Sequence, residues 1–203
     1  MPGPGLPPPR RVGLLGGSFN PAHAGHLHIS REALKRLDLD QVWWLVSPQN
    51  PLKAKRGMAS FARRLAAARA VARHPRIRIV DLEDRLGTRY TVDTLAALER
   101  RFPHIGFVWL MGADILVEIR RWKRWPEIFF RTPVAVFARP TYCQRALAGM
   151  AAQRFRRHRI APGAARRLAA MAAPAWTFLW MPLDPSSATA IRSRAPRRRT
   201  KRN

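Results

Sequence analysis

The sequence predicts an α/β protein, a doubly wound (Rossmann-like) parallel sheet with helices on both faces. Short apolar runs alternate along the chain with segments of helical pattern. The run Gln41–Ser47 is almost continuously apolar, as expected for a strand that is buried on both faces of a parallel sheet. The stretch Arg11–Ser30 reads as a strand, a glycine turn and the start of a helix. Together these three observations indicate the fold class.

That first stretch opens with the apolar run Val12–Leu15, which predicts a buried strand. Gly16 and Gly17 follow, and glycines allow backbone angles that a Cβ would forbid and let a ligand approach the main chain. Asn20-Pro21 marks a turn, because the residue before a proline is pushed out of the helical region, and Ala22–Leu37 then predicts a helix. This arrangement aims backbone N–H groups and the positive end of the helix dipole at one point, which suits a phosphate.

Two histidines lie at that point. His23 and His26 are three residues apart, so both can face the same side, and Gly25 leaves room between them. An imidazole donates a hydrogen bond and can carry positive charge near pH 7, and both properties are useful beside a phosphate. Two other interpretations remain open: solvent-exposed histidines, or a zinc site that includes His28 but has no further ligand at suitable spacing. Phosphate binding is the prediction that we adopt.

The remaining elements follow in chain order. We predict strands over Gln41–Ser47, Ile77–Leu82, Ile105–Met111, Val134–Ala138 and Trp176–Met181. We predict helices over Ser60–Arg73, Val92–Arg101, Ile115–Arg120 and Ser186–Arg192, with Ser60, Thr91, Asp114 and Ser187 as their respective N-caps. The segment Gln144–Ala173 has a helical, basic, alanine-rich pattern that is broken at Pro162-Gly163.

Several polar or aromatic side chains fall near the carboxyl ends of these strands, where α/β proteins bind ligands. Lys53 can reach a phosphate or simply be solvated, and Asp114 can accept hydrogen bonds from ribose hydroxyls. The helix start at Thr91 can receive a ligand carboxylate. Trp122 and Trp125, at helical spacing, belong to the core or stack on a pyridinium-like ring.

A second phosphate site is predicted near the end of the chain. Ser187, Thr189 and Arg192 would line one helix start with two hydroxyls and a guanidinium. Neither the dinucleotide-binding glycine fingerprint nor a P-loop occurs in the sequence. Phosphate binding therefore has to come from the segment Gly16–His26, which we call the histidine turn, and from this second helix start.

Composition bounds the class of protein. The 203 residues carry a formal net charge of +26, which ordinarily suggests a polyanionic partner, but the arginines are scattered along the whole chain rather than gathered into one stripe. Cys143 is the only cysteine, which excludes a disulfide framework and favours a reducing, cytoplasmic setting. We expect residues 1–10 to be a disordered leader, residues 11–193 to form one domain, and residues 194–203 to be a basic flexible tail.

The residues Gly16–His26, Gly-Gly-Ser-Phe-Asn-Pro-x-His-x-Gly-His, resemble the signature of the nucleotidylyltransferase superfamily. Further segments, in the same order along the chain, are similar to one group within it, the nicotinate-nucleotide adenylyltransferases: Ser47–Lys53, Tyr90–Leu95, Gly112–Asp114 with Trp122 and Trp125, Arg139-Pro140 and Ser187–Arg192. This resemblance implies transfer of the adenylyl group of ATP to nicotinate mononucleotide, with release of pyrophosphate and formation of deamido-NAD.

The resemblance also implies roles for individual residues. His23 and His26 would be catalytic, and the ATP site would consist of Gly16, Gly17, Ser18, Phe19, Asp114, Ser187, Thr189 and Arg192. Tyr90, Thr91, Trp122 and Lys53 would bind the nicotinate nucleotide. The chain departs from the family pattern at Ser18, Asn20, Lys123 and Ala188, and Ala188 removes a hydroxyl from the second phosphate site.

The implied chemistry is physically consistent with these residues. The attacking phosphate monoester has a second pKa of ~6, so no general base is needed. Mg²⁺ would bridge the ATP phosphates with few or no protein ligands. Two other functions remain open: adenylyl transfer to another acceptor such as pantetheine phosphate, and, in a different class, an arginine-rich nucleic-acid-binding protein.

Overall fold

Six parallel strands form one sheet in the order β3-β2-β1-β4-β5-β6. The computed structural model describes residues 10–48 and 57–182. Its strands are β1 (Arg11–Gly17), β2 (Gln41–Val46), β3 (Ile77–Val80), β4 (Gly106–Gly112), β5 (Val134–Phe137) and β6 (Trp176–Leu179). Strand β1 lies in the middle, where Val12 is in register with both Gln41 of β2 and Phe107 of β4.

Helices cover both faces of this sheet. They are α1 (Ala24–Arg36), α2 (Phe61–Val71), α3 (Leu82–Arg85), α4 (Thr91–Arg101), α5 (Ala113–Glu118), α6 (Trp125–Arg131), α7 (Cys143–Ala148) and α8 (Met150–Arg154). Short 3₁₀ segments span Ile119–Arg121, Arg156–His158 and Pro162–Ala170. Buried side chains of α1, α2 and Pro162–Ala170 pack on one face, and those of α4 to α8 pack on the other.

The strand order reverses between β1 and β4. From β1 the chain builds outward through β2 and β3, then returns to β4 and builds the other half through β5 and β6. In a doubly wound sheet the crevice at such a switch point, outside the carboxyl ends of the strands, is where ligands bind. Gly17 and Gly112, the last residues of β1 and β4, therefore flank the expected site.

The predicted fold class is confirmed, and every predicted strand is present with its end shifted by at most two residues. The sequence missed α3 and α6. Helix α6 has Pro126 in its first turn, where a proline is tolerated because the N–H that it lacks would have no partner in the helix. The segment predicted as helical over Gln144–Ala173 is more broken than expected, and Gly149 separates α7 from α8.

Two predicted caps are wrong by one or two positions. Thr91 is the first residue of α4, whose N-cap is Tyr90. Asp114 lies in the first turn of α5, whose N-cap is Gly112. The loop residue Lys53, the helix Ser186–Arg192, and the predicted leader and tail lie outside the described residues, apart from Arg10. Among the described residues, no helix is both long and apolar enough to cross a membrane.

Candidate active site

The two histidines meet at the start of α1. His23 is the N-cap and is 5% exposed, while His26 is half-buried in the first turn, and their ring centroids are 3.9 Å apart. The N–H of His26 donates to the carbonyl of His23 at 3.0 Å, and the N–H of His23 donates to Nδ1 of His26 at 3.2 Å. Because Nδ1 of His26 accepts a hydrogen bond, this bond assigns the proton of the neutral imidazole to Nε2. Nε2 is thus a hydrogen-bond donor.

Aromatic packing holds this turn in place. The ring of Phe19 stacks on Trp44 with centroids 5.0 Å apart and lies 4.7 Å from the ring of His26. Trp44 Nε1 donates to Ser30 Oγ at 2.7 Å, and that hydroxyl donates to the carbonyl of His26 at 2.8 Å. Phe19 is 1% exposed, so its ring serves this packing and does not present a face to a nucleotide.

Gly16 and Gly17 end β1 and do not have the backbone angles that were predicted to require glycine. Neither Gly16 nor Gly17 has a positive φ, and the left-handed residue is Phe19, with φ of 46°. A Cβ on Gly16 would lie 2.4 Å from Cη2 of Trp109, whereas a Cβ on Gly17 would make ordinary contact with Phe19 at 3.4 Å. Gly16 is therefore required by close packing between β1 and β4, not by its backbone angles.

The end of β4 contributes a carboxylate and a guanidinium. Asp114 Oδ1 lies 3.6 Å from Nε of Arg139, and their side chains are 33% and 17% exposed. A Cβ on Gly112 would lie 2.3 Å from the same Asp114 oxygen, so a glycine is needed for the pair to approach the strand. Asp114 therefore stands at the carboxyl ends of the strands, as predicted, and is paired with Arg139.

The segment predicted to hold the nicotinate ring lies beside the start of α4. Trp122 is half-buried, and its ring meets Trp109 edge-on with centroids 6.3 Å apart. The Lys123 ammonium lies 4.2 Å from the centroid of the Tyr90 ring. Trp125 belongs to the core, at 9% exposure, so the helical spacing with Trp122 does not place both rings on one surface. Trp109 touches both the Gly16 position and Trp122, and so connects the two halves of the candidate site.

Two buried charged residues near these strand ends, Arg64 on α2 and Glu83 on α3, were not predicted as site residues. Arg64 had a detectable signal: it falls on the apolar stripe of α2 formed by Phe61, Leu65 and Ala68, where a charged residue is out of place. For Glu83 no sequence pattern gave a comparable signal. Both residues interact with Ser47, the residue that follows β2.

Glu83 is 6% exposed, and its Oε2 has no hydrogen-bond partner in the part of the chain that the structure describes. Burial raises the pKa of this carboxyl from 4.5 to about 7, and a hydrogen bond with the Ser47 side chain opposes that shift. The folded protein therefore holds the proton more tightly than the unfolded chain does. Consequently the free energy of unfolding falls as the pH rises between those two values, by about 3 kcal/mol for a shift of this size.

We expect Glu83→Gln to raise the melting temperature at about pH 8 and to change it little at about pH 5, because glutamine stays neutral at both. Thermal melts of both proteins at the two pH values provide the measurement. Glu118→Gln, which changes an exposed carboxyl on α5, is the matched control. A Glu83→Gln effect of equal size at both pH values would contradict this account.

An open cavity of about 640 Å³ lies elsewhere, at the amino-terminal edge of the sheet, and is lined by Arg11, Asp38, Arg166, Arg167, Ala170 and Met171. Ligands of doubly wound sheets bind at the opposite edge. The histidines, Asp114 and Trp122 are not among its lining residues. We therefore assign the candidate site to the carboxyl edge, on chemistry and topology rather than on cavity size.

Comparison with known proteins fits this geometry. Residues 14–194 match the family model described as cytidylyltransferase-like. The sheet and its histidine turn thus define a nucleotidyltransferase.

Individual proteins are also similar to this chain over most of its length. A probable nicotinate-nucleotide adenylyltransferase of Parvibaculum lavamentivorans is 56% identical over 189 residues, which cover 93% of this chain and 94% of that protein. One from Methylorubrum extorquens is 53% identical over 184 residues, covering 91% and 100%. The chain belongs to the nicotinate-nucleotide adenylyltransferase family, and it is a nucleotidyltransferase of NAD biosynthesis.

A solved structure shows the same fold at greater distance. The Plasmodium falciparum nicotinic acid mononucleotide adenylyltransferase complexed with NaAD has a TM-score of 0.68 and 15% sequence identity, and the match covers 91% of this chain and 83% of that chain. The similarity confirms the predicted sheet architecture.

Proposed function

We propose that this chain transfers the adenylyl group of ATP to nicotinate mononucleotide, giving deamido-NAD and pyrophosphate. A phosphate oxygen of the mononucleotide forms a bond to the α-phosphorus of ATP, and the bond from that phosphorus to the pyrophosphate oxygen breaks. The observation that carries this proposal is the histidine pair at the N-terminus of α1, the helix that follows the central strand β1. Membership of the adenylyltransferase family supports the choice of reaction.

His23 and His26 bind the ATP phosphates and stabilise the negative charge of the transferring group. Donors fixed before the reaction are effective here, because they need no reorganisation as charge moves. The Nε2–H of His26 is one such donor, since Nδ1 is already occupied by the N–H of His23. By the family resemblance, Gly16, Gly17, Ser18 and Phe19, at the end of β1 and in the turn before α1, also belong to the ATP site. Asp114 accepts hydrogen bonds from the nucleotide at the end of β4.

The second nucleotide lies toward α4. Trp122 stacks on the pyridine ring, and the N–H groups at the start of α4, near Tyr90 and Thr91, receive the nicotinate carboxylate. Lys53 approaches the phosphate of this nucleotide. Ser187, Thr189 and Arg192 complete the ATP site from the last part of the chain. These four residues lie outside the described part of the structure, so their roles rest on the family resemblance alone.

The reaction requires alignment of two anions and needs no general base, because the attacking phosphate is largely ionised at neutral pH. When bound, Mg²⁺ neutralises charge on the ATP phosphates. The ion would be held mainly by phosphate oxygens and waters. Asp114, the carboxylate at the end of β4, is paired with Arg139. We place the reaction in the cytoplasm, in keeping with a lone cysteine.

Pyrophosphate release from ATP with each acceptor in turn tests this proposal. We expect release with nicotinate mononucleotide, and much less with pantetheine phosphate. Release with pantetheine phosphate alone would reject the acceptor but keep the reaction class. No release with any acceptor, together with steep salt-dependent binding to RNA or DNA, would instead support the nucleic-acid-binding alternative.

Lys123 bears on the choice between nicotinate and nicotinamide. Its ammonium lies over the Tyr90 ring at the start of α4, beside the position proposed for the carboxylate. We expect Lys123→Met to lower kcat/KM for nicotinate mononucleotide by roughly fivefold, the scale of ~1 kcal/mol for a solvent-exposed pair, and to leave the nicotinamide nucleotide unaffected. Steady-state kinetics with both acceptors measure this ratio. Arg121→Met, also exposed, is the control, and equal losses for both acceptors would contradict the assignment.

A further inference from the structure

We propose that Arg64 is a positioning residue of the phosphate site. From helix α2, it fixes the position of the histidine turn relative to the end of β2. Arg64 lies on α2 and is 2% exposed. Its guanidinium donates to three backbone carbonyls at the carboxyl ends of β1 and β2: Nη1 to Ser18 at 2.7 Å and to Ser47 at 2.6 Å, and Nη2 to Pro48 at 2.6 Å. Nε donates to the carbonyl of Ala59 at 3.1 Å.

These bonds join parts of the chain that are distant in sequence. Ser18 belongs to the turn after β1, Ser47 and Pro48 follow β2, and Ala59 precedes α2. The planar guanidinium presents its donors in a fixed fork, so it specifies where these carbonyls lie relative to one another. The N–H of Ser47 donates to the carbonyl of Gly17 at 2.9 Å, which adds a direct link between the same two strand ends.

The hydrogen bond from Arg64 to the Ser18 carbonyl also sets the orientation of the Ser18–Phe19 peptide. In a trans peptide the C=O and the following N–H point in opposite directions. The Ser18–Phe19 peptide is trans, so aiming its carbonyl at Arg64 turns the Phe19 N–H away from the guanidinium. Phe19 is the residue of the turn that adopts a left-handed backbone, which is unfavourable for a side chain of this type. Arg64 thus holds a turn conformation that the local sequence does not favour.

No carboxylate among the described residues contacts the Arg64 guanidinium. Within the described residues, every hydrogen-bond acceptor that the guanidinium contacts is a neutral backbone carbonyl. Burial lowers the pKa of the Arg64 guanidinium from its ordinary value, yet an arginine remains charged in proteins. A buried charge without a counter-ion is costly, and here it lies beneath the turn that is proposed to receive anionic phosphates. A bound polyanion would place negative charge close to this guanidinium.

That the bound phosphates are those of ATP rests on the proposed function, whereas the positioning role of Arg64 rests on its hydrogen bonds. Two variants separate the effect of the positive charge from that of the guanidinium geometry. Arg64→Lys keeps the charge but loses the forked set of donors, and Arg64→Met loses both. Arg63→Met, on the same helix but exposed, is the control. For each protein we would measure the melting temperature, kcat, and the affinity for ATP alone by calorimetry.

We expect Arg64→Met to lower kcat by roughly 10²-fold, the scale of a misplacement of about 1 Å, and to weaken ATP binding. Arg64→Lys should recover part of the ATP affinity but little of kcat, while Arg63→Met matches the unsubstituted chain. A folded Arg64→Lys protein with unchanged kcat and ATP affinity would overturn the proposal, even if Arg64→Met does not fold.

The calorimetry needs no acceptor. If the unsubstituted chain fails to release pyrophosphate with nicotinate mononucleotide, the proposed function is wrong. The ATP affinities of the variants still test the role of Arg64 in that case. A variant that loses only melting temperature, with kcat and ATP affinity intact, would make Arg64 a purely structural residue and would also overturn the proposal.

Discussion

Replacing His26 by alanine is expected to lower kcat by roughly 10²–10³-fold, the effect of removing one preorganised donor from a transferring group. The structure gives the reason for this size of effect. His26 Nδ1 accepts from the N–H of His23, which orients the ring and leaves Nε2 as a donor, and Phe19 packs against the same ring. His23→Ala should show a loss on the same scale, because the two rings lie 3.9 Å apart at one helix start.

Initial rates of pyrophosphate release at saturating ATP and nicotinate mononucleotide measure this prediction. His104→Ala changes an exposed histidine at the opposite edge of the sheet and should leave kcat unchanged. His26→Gln, whose amide nitrogen can replace the Nε2 donor, should retain more activity than His26→Ala. Losses of tenfold or less for both alanine variants would reject the catalytic role of the pair.

The second large effect is expected at Trp122. Stacking of a base on an aromatic side chain contributes roughly 1–3 kcal/mol, so Trp122→Ala should raise KM for nicotinate mononucleotide by roughly 5–150-fold. The half-buried ring has one edge against Trp109, which fixes it while leaving part of it accessible. Trp122→Phe should restore part of the affinity, because it keeps a flat ring at the same position.

The measurement is KM for each substrate in the presence of the other at saturation. Phe130→Ala removes an aromatic side chain that is 54% exposed on α6 and is the control for a general loss of surface packing. If KM for ATP rises in the same proportion as KM for nicotinate mononucleotide, Trp122 does not bind the pyridine ring specifically.

The sequence predicted those features that depend on neighbouring residues. The strand, turn and helix start over Arg11–Ser30 are local, because each is set by apolar runs, a proline and the helix formers that follow. The placement of Asp114 after β4 was likewise predictable, since α/β proteins carry polar groups at the ends of their strands. For both features the structure shifts only the boundaries.

Contacts between distant segments could not be predicted in this way. Gly16 is needed because of Trp109 on the neighbouring strand, and no local pattern indicates that pairing. Arg64 donates hydrogen bonds to Pro48, Ser47 and Ser18, which precede it by 16, 17 and 46 positions along the chain. Burial of Glu83 similarly depends on how α3 packs against the end of β2. Such features follow from strand order, which the alternation of strands and helices does not specify.

Exchange of labelled pyrophosphate into ATP, measured without any acceptor, tests the central claim most directly. If the histidine pair only aligns two bound anions for direct attack, ATP has nothing to react with and no exchange occurs. Addition of nicotinate mononucleotide should then switch the exchange on. Exchange in the absence of acceptor would instead show that a side chain of the protein takes up the adenylyl group, and would contradict the account.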